Sequence, residues 1–271
     1  MGEEEGQGES EEPVPRQRSP NHSGDAMVAP HRKLRFSIRP SDVFGLTISV
    51  VYYYSTIIVL SEEKPMSAQA PAELDLAVAS LIMVRPDEDR AEYEEQYESV
   101  AAVQDQLREF GIDIDLLSQP GVEIWEGSIE TMGALYQLAR MAAHLERGDD
   151  LAPIIADGPV LEEDLDRAVT DVWDELVPSR YRHLINLQGI NSYYLPVDFA
   201  DPVYLPFETD DGEEDQAFFG SSVQLLRELS ELAPQLIKAG VSPRSDAFRC
   251  LESLREAARQ SVECGLPVIV W

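Results

Sequence analysis

The sequence predicts an α+β fold, about five amphipathic helices with a small mixed or antiparallel sheet. Three observations predict it. Apolar residues recur at helical spacing between capping residues in five stretches. Five shorter runs have the β-branched and aromatic composition of strands. The two kinds are interspersed without a regular βαβ repeat, which argues against a doubly wound sheet.

Residues 1–30 are rich in Glu, Gly, Ser and Pro and hold almost no apolar run. They bury too little surface to offset the entropy of ordering, so a disordered acidic tail is expected. Residues 31–65 combine a basic patch, His31–Arg39, with the uncharged apolar run VFGLTISVVYYYSTIIVL at Val43–Leu60. Three readings of that run compete. As a membrane span it has nearly the required length, and its basic flank would hold the N-terminus in the cytoplasm and send residues 66–271 outside. As a buried strand pair it has the right residues but no turn. As a product of a mis-assigned gene start it is explained by its neighbours: Glu62, Glu63 and Lys64 are encoded by nine consecutive purines one codon upstream of Met66, where a ribosome-binding tract would sit. The third reading is favoured, and with it a cytoplasmic protein that begins at Met66.

Residues 66–271 read as a single globular acidic domain, large enough to need neither disulfide nor metal. The first strand candidate is Leu74–Val84. A helix follows from Pro86 to Gly111, with acids at its start and the stripe Tyr93, Tyr97, Val100 and Leu107. Val122–Gly127 is a second strand, and Ser128 is the expected N-cap of a helix ending at Gly148. LEEDLDRAVTDVWDEL, Leu161–Leu176, carries a third helical stripe. Ser192–Phe199 and Val203–Glu208 share an echo, YLPVD and YLPFE, that suggests a hairpin turning near Pro202. Ser221 and Gln224 form a capping box for a helix bent or broken at Pro234. The last helix spans Ser245–Gly265, and PVIVW closes the chain as a strand. Cys250 and Cys264 fall on that helix roughly 21 Å apart, too far for a disulfide.

Chemical motifs are scarce. Without HExxH, CxxC or a cytidine-deaminase pattern, no metal site is expected. GxGxxG and GxxxxGK[ST] are absent, and Lys238 is the only lysine after Met66, so no nucleotide cofactor is expected. Ser128 and Ser221 each follow a glycine and open a helix, which capping explains without a nucleophile. No catalytic residue is assigned, and the reading leans away from an enzyme. The run DDGEED, Asp210–Asp215, lacks the ligand order of a calcium loop.

The most unusual stretch is Arg180–Glu208. It gathers aromatic residues and carboxylates just behind Arg180, Arg182 and His183 in a domain poor in cations. If a ligand or partner site exists, its candidate residues are Tyr193, Tyr194, Asp198, Asp201, Arg182 and His183, with Trp125 and Glu126 as neighbours. Core filling is the favoured account of the aromatics. The formal charge of −30 excludes nucleic acid as a partner, because such a surface repels phosphate. It points to a protein that works by binding, with a basic protein partner of the kind an inhibitor or immunity protein holds. The alternatives are a small-molecule binder or enzyme using the Tyr/Asp-rich stretch, and a single-pass anchored protein. Solubility or salt adaptation explains the charge without any partner.

Overall fold

The computed structural model describes residues 73–159, 165–208 and 214–271. The apolar run Val43–Leu60 and the acidic N-terminal stretch lie outside the described residues. Among the described residues no helix is long and apolar enough to cross a membrane.

The described residues form seven helices and a six-stranded mixed sheet, an α+β fold. Strands are β1 (Leu74–Ala79), β2 (Glu123–Ile129), β3 (Ser192–Leu195), β4 (Val203–Glu208), β5 (Glu214–Ser221) and β6 (Val268–Val270). Helices are α1 (Arg90–Glu109), α2 (Met132–Arg147), α3 (Ala152–Asp157), α4 (Arg167–Trp173), α5 (Arg182–Ile185), α6 (Ser222–Lys238) and α7 (Asp246–Cys264). The sheet order is β2-β1-β6-β3-β5-β4, antiparallel throughout except between β3 and β5.

Both faces of the sheet are covered. Leu74, Leu76, Val78, Tyr194, Phe218, Val268 and Val270 meet the layer containing α2, α4, α5, α6 and α7. Ala77, Ala79, Tyr193, Leu195, Phe219 and Ile269 point the other way, against Val100, Val103 and Leu107 of α1. The alternation follows from the two-residue period of a strand. One helix therefore covers one face, and the remaining helices cover the other.

Several expectations from the sequence are refined. Leu74–Ala79 is a strand as expected, and it ends before Val84. β2 runs on through Ile129, so Ser128 lies within a strand and Thr131 caps α2, its hydroxyl accepting from the Ala134 N–H at 3.0 Å. β3 and β4 do not form a hairpin. β5 lies between them, parallel to β3 and antiparallel to β4, so the YLPVD/YLPFE echo pairs with a strand the sequence did not reveal. Pro206 sits on the edge strand β4, where its missing N–H costs least. α6 continues through Pro234 to Lys238. Both cysteines lie on α7 as free thiols, Cys250 buried and Cys264 exposed.

Gly220 shows how tightly the sheet packs. A Cβ there would stand 2.6 Å from the buried Tyr194 ring and 3.0 Å from Phe218. Gly220→Ala is expected to cost about 1–3 kcal/mol through overpacking. Urea unfolding measures this, and an unchanged midpoint would mean that the rings shift without cost.

Candidate functional site

α1 is built to carry charge on its outside. Asp89 caps it, the carboxylate accepting from the Ala91 and Glu92 N–H groups at 3.1 Å each. Val100, Val103 and Leu107 bury its inner stripe. With 3.6 residues per turn, Glu94, Glu95, Glu98, Asp105 and Glu109 fall within an arc of about 100° on the opposite side. All five are exposed. Tyr97 and Phe110 stand beside this crest with 39% and 60% of their surface exposed.

The strands at the sheet's β2 edge extend the negative face. Glu126 lies opposite Ala77 and Glu123 opposite Ala79, so both belong to the α1 side. The Glu123 carboxyl is held above its ordinary value, first by a hydrogen bond shared with Glu126, then by desolvation and by repulsion from it. Residues 73–129 carry 15 acidic and 3 basic side chains, net −12 over 57 residues; residues 130–271 carry 26 and 11, net −15 over 142. The first segment is therefore about twice as charged per residue.

The helical layer on the other face neutralises its carboxylates locally. Arg140 bridges Asp157 and Asp166 at 3.1 and 3.0 Å. His144 lies between Asp149 and Asp166, and Arg147 pairs with Asp171. On α7, Arg249 holds Glu130 and Asp246, and Arg259 holds Glu256 and Glu263. Burial would raise Asp166; backbone and side-chain donors, His144 and Arg140 among them, outweigh it and hold the carboxyl below its usual range.

A second constellation joins α5, the start of α6 and the loop after β3. The buried Glu228 accepts from the His183 N–H at 3.0 Å and the Leu184 N–H at 2.8 Å. His183 is also buried: its Nδ1 accepts from the Ser221 N–H at 3.0 Å, which leaves Nε2 to donate to the Ala200 carbonyl at 3.1 Å. The ring is thereby fixed as one neutral tautomer, and burial lowers its pKa to about 4. Burial also pushes the Glu228 carboxyl up to about 8, against the two amide donors that favour the anion. Asp198 accepts from Gln224 at 2.6 Å and pairs with Arg227 at 3.0 Å, and Asp201 pairs with Arg182. Ser221 both caps α6 and donates to the Val197 carbonyl at 2.6 Å.

Residues 72–270 match the family described as "Putative DNA-mimic protein". The chain belongs to that family. No curated protein and no solved structure matches it. The span shared with the DNA-mimic family includes the α1 crest and the α5–α6 constellation alike.

The residues singled out from the sequence fall into three places in this family member. Arg182, His183, Asp198 and Asp201 come together at the α5–α6 constellation. Tyr193 and Tyr194 are buried on opposite faces of β3: Tyr193 stacks on Phe219 at 5.1 Å between ring centroids, and the Tyr194 hydroxyl donates to the His183 carbonyl at 2.8 Å. Neither lines an open site. Trp125 packs against the helical layer from β2, and Glu126 joins the acidic side. The α1 crest was not singled out, although its spacing was visible in EYEEQYESVAAVQDQLRE.

The Glu228 carboxyl stays protonated in the fold up to about pH 8 but ionises near 4.5 once unfolded, so its stabilising contribution is lost as pH rises from 4.5 to 8. His183 has the opposite sign, its contribution being lost as pH falls from 6.5 to about 4. Between pH 6.5 and 8 only Glu228 of this pair acts, and the wild type should lose about 2 kcal/mol there. In Glu228→Gln that slope should vanish, which urea titrations at the two pH values measure. Equal slopes in both proteins would show that Glu228 ionises normally.

Proposed function

We propose that this protein acts by binding, and that the α1 crest takes the place of a DNA backbone on the basic surface of a protein that otherwise holds DNA. The observation that carries the reading is the concentration of negative charge on the α1 side in a member of a DNA-mimic family. α1 has 20 residues, about 30 Å of axis. One strand of duplex presents roughly nine phosphates over that length. α1 itself carries six carboxylates against two arginines, so its acidic array is sparser than a phosphate backbone. Within the crest, Glu94 and Glu98, like Asp105 and Glu109, are one turn or about 6 Å apart.

Each such carboxylate contributes modestly. A charge pair at 4 Å gains about 1 kcal/mol in bulk water and about 4 kcal/mol at the effective dielectric near a protein surface. The array therefore serves encounter rate and partner choice more than affinity. The exposed Tyr97 and Phe110 flank the crest on opposite sides, about 20 Å apart along the axis, and offer apolar contacts at its margins.

Neutralising the crest in the combination Glu94→Gln, Glu98→Gln, Asp105→Asn and Glu109→Gln tests this. Proteins captured from extract by the immobilised wild type at low salt should be released by duplex DNA, and the crest variant should retain them at least about tenfold more weakly. A control neutralising Glu252, Glu256 and Glu263 on α7 should bind as the wild type does. If duplex DNA fails to compete, or the two variants behave alike, the mimicry reading is lost.

A further inference from the structure

We infer that the cleft between α5, α6 and the loop after β3 is a binding site for a small oxyanion, of phosphate or carboxylate type. This site is separate from the α1 crest and does not rest on the mimicry reading. The cleft has a volume of about 380 Å³, within the range of small-ligand sites. Three guanidiniums, those of Arg180, Arg182 and Arg227, line it in a domain that has only 14 basic side chains from Met66 onward. Elsewhere in this chain arginines mostly hold carboxylates directly. Arg180 does so only loosely: its Nε forms an ion pair with Glu146 at 3.8 Å, longer than a hydrogen bond, and its guanidinium is held over the Tyr181 ring at 4.9 Å from the centroid.

The other two guanidiniums already show what they accept. Arg227 meets Asp198 and Arg182 meets Asp201. Both aspartates are exposed and belong to the loop Val197–Asp201, so they act as internal stand-ins for a ligand carboxylate. Each arginine has five N–H donors in a planar fork suited to carboxylate or phosphate. Arg182 also donates from Nε to the Ser179 carbonyl at 3.0 Å, and both arginines line the cleft.

The floor adds no opposing charge. His183 is neutral, both ring nitrogens being used inside the fold, and the buried Glu228 turns both oxygens to backbone N–H groups and holds its proton at neutral pH. Besides Glu228, Glu231 is the one carboxylate among the described residues that lines the cleft itself; the partners of the three guanidiniums, Glu146, Asp201 and Asp198, stand at its margin. Asp198, Asp201 and Glu146 sit beside these guanidiniums as ion-pair partners, so an entering anion takes the place of a carboxylate that the chain already supplies. Exchange of this kind needs no net positive field in a chain of net charge −30.

The test is calorimetric titration of the full chain with pyrophosphate and, separately, with succinate at constant ionic strength. Saturable binding of either ligand at millimolar concentration or tighter is expected, and which ligand saturates assigns the phosphate or the carboxylate class. Arg180→Gln should weaken it by about tenfold, the loss of one charge-assisted hydrogen bond. Arg227→Gln should weaken it as well, whereas Arg255→Gln, which removes an arginine of α7, should leave it unchanged. The four-site crest variant should also bind the anion normally, so that failure of the mimicry reading and failure of this one remain separable. Absence of saturation with both ligands, or equal loss in Arg180→Gln and Arg255→Gln, would overturn the assignment.

Discussion

The fold depends on a three-residue strand. β6, Val268–Val270, joins β1 to β3, and without it the sheet is two unconnected pieces, β2-β1 and β3-β5-β4. Its alternation serves both layers at once: Val268 and Val270 enter the core under the helices, and Ile269 enters the core under α1. Trp271 extends the pairing, its N–H donating to the Asp75 carbonyl while its own carbonyl accepts from the Asp75 N–H. So short a strand holds a central place because its backbone groups are paired on both sides and its side chains are buried on both faces, so each residue contributes to two interfaces.

Much of this was legible in the sequence, and the losses have physical causes. PVIVW reads as a strand from its β-branched content, yet nothing local says that it is central, because its partners lie far away in the chain. The long helices were recovered because their stripes and caps are local signals. β5 was not: its first residues are acidic, and its last residue, Ser221, is also the cap of α6, so the capping signal hid the strand. Tyr193 and Tyr194 read as one aromatic cluster along the chain, but adjacent residues of a strand face opposite layers, and the two rings serve different cores. Arg182, His183, Asp198 and Asp201 do converge, because the His183 ring and the Ser221 hydroxyl fasten α5 and α6 to the intervening loop.

The capping box at the start of α6 is half realised, for an informative reason. Ser221 caps the helix as its sequence position suggests, the hydroxyl accepting from the Gln224 N–H at 3.1 Å. In the reciprocal half the Gln224 side chain would return to the Ser221 N–H. That N–H instead donates to His183 Nδ1, and the Gln224 amide reaches Asp198. A local motif has been divided between two tertiary contacts. The result is that the loop Val197–Asp201 is tied to the same turn that opens α6, which keeps the cleft arginines and their aspartates in register.

Charge placement follows from the layering. A sheet covered on one face by several helices gives those helices neighbours, and their arginines meet carboxylates across helix contacts, as Arg140 does between α3 and the α4 cap, or along one helix, as Arg259 does on α7. Among the described residues α1 is the one helix that contributes to the core on the other face. Like charges one turn apart, Glu94 and Glu98, cost an isolated helix about 0.2–0.5 kcal/mol, a loss that the Arg90–Glu94 pair partly offsets. Burial of Val100, Val103 and Leu107 outweighs it, at roughly 1.5–3 kcal/mol for each side chain fully buried. The single-helix face can therefore carry an acidic crest, on which Arg90 and Arg108 pair with Glu94 and Asp105, at little risk to the fold. The cleft helices α5 and α6 lie across the sheet from it, so a macromolecule held on the crest and an anion held in the cleft would not compete for the same surface.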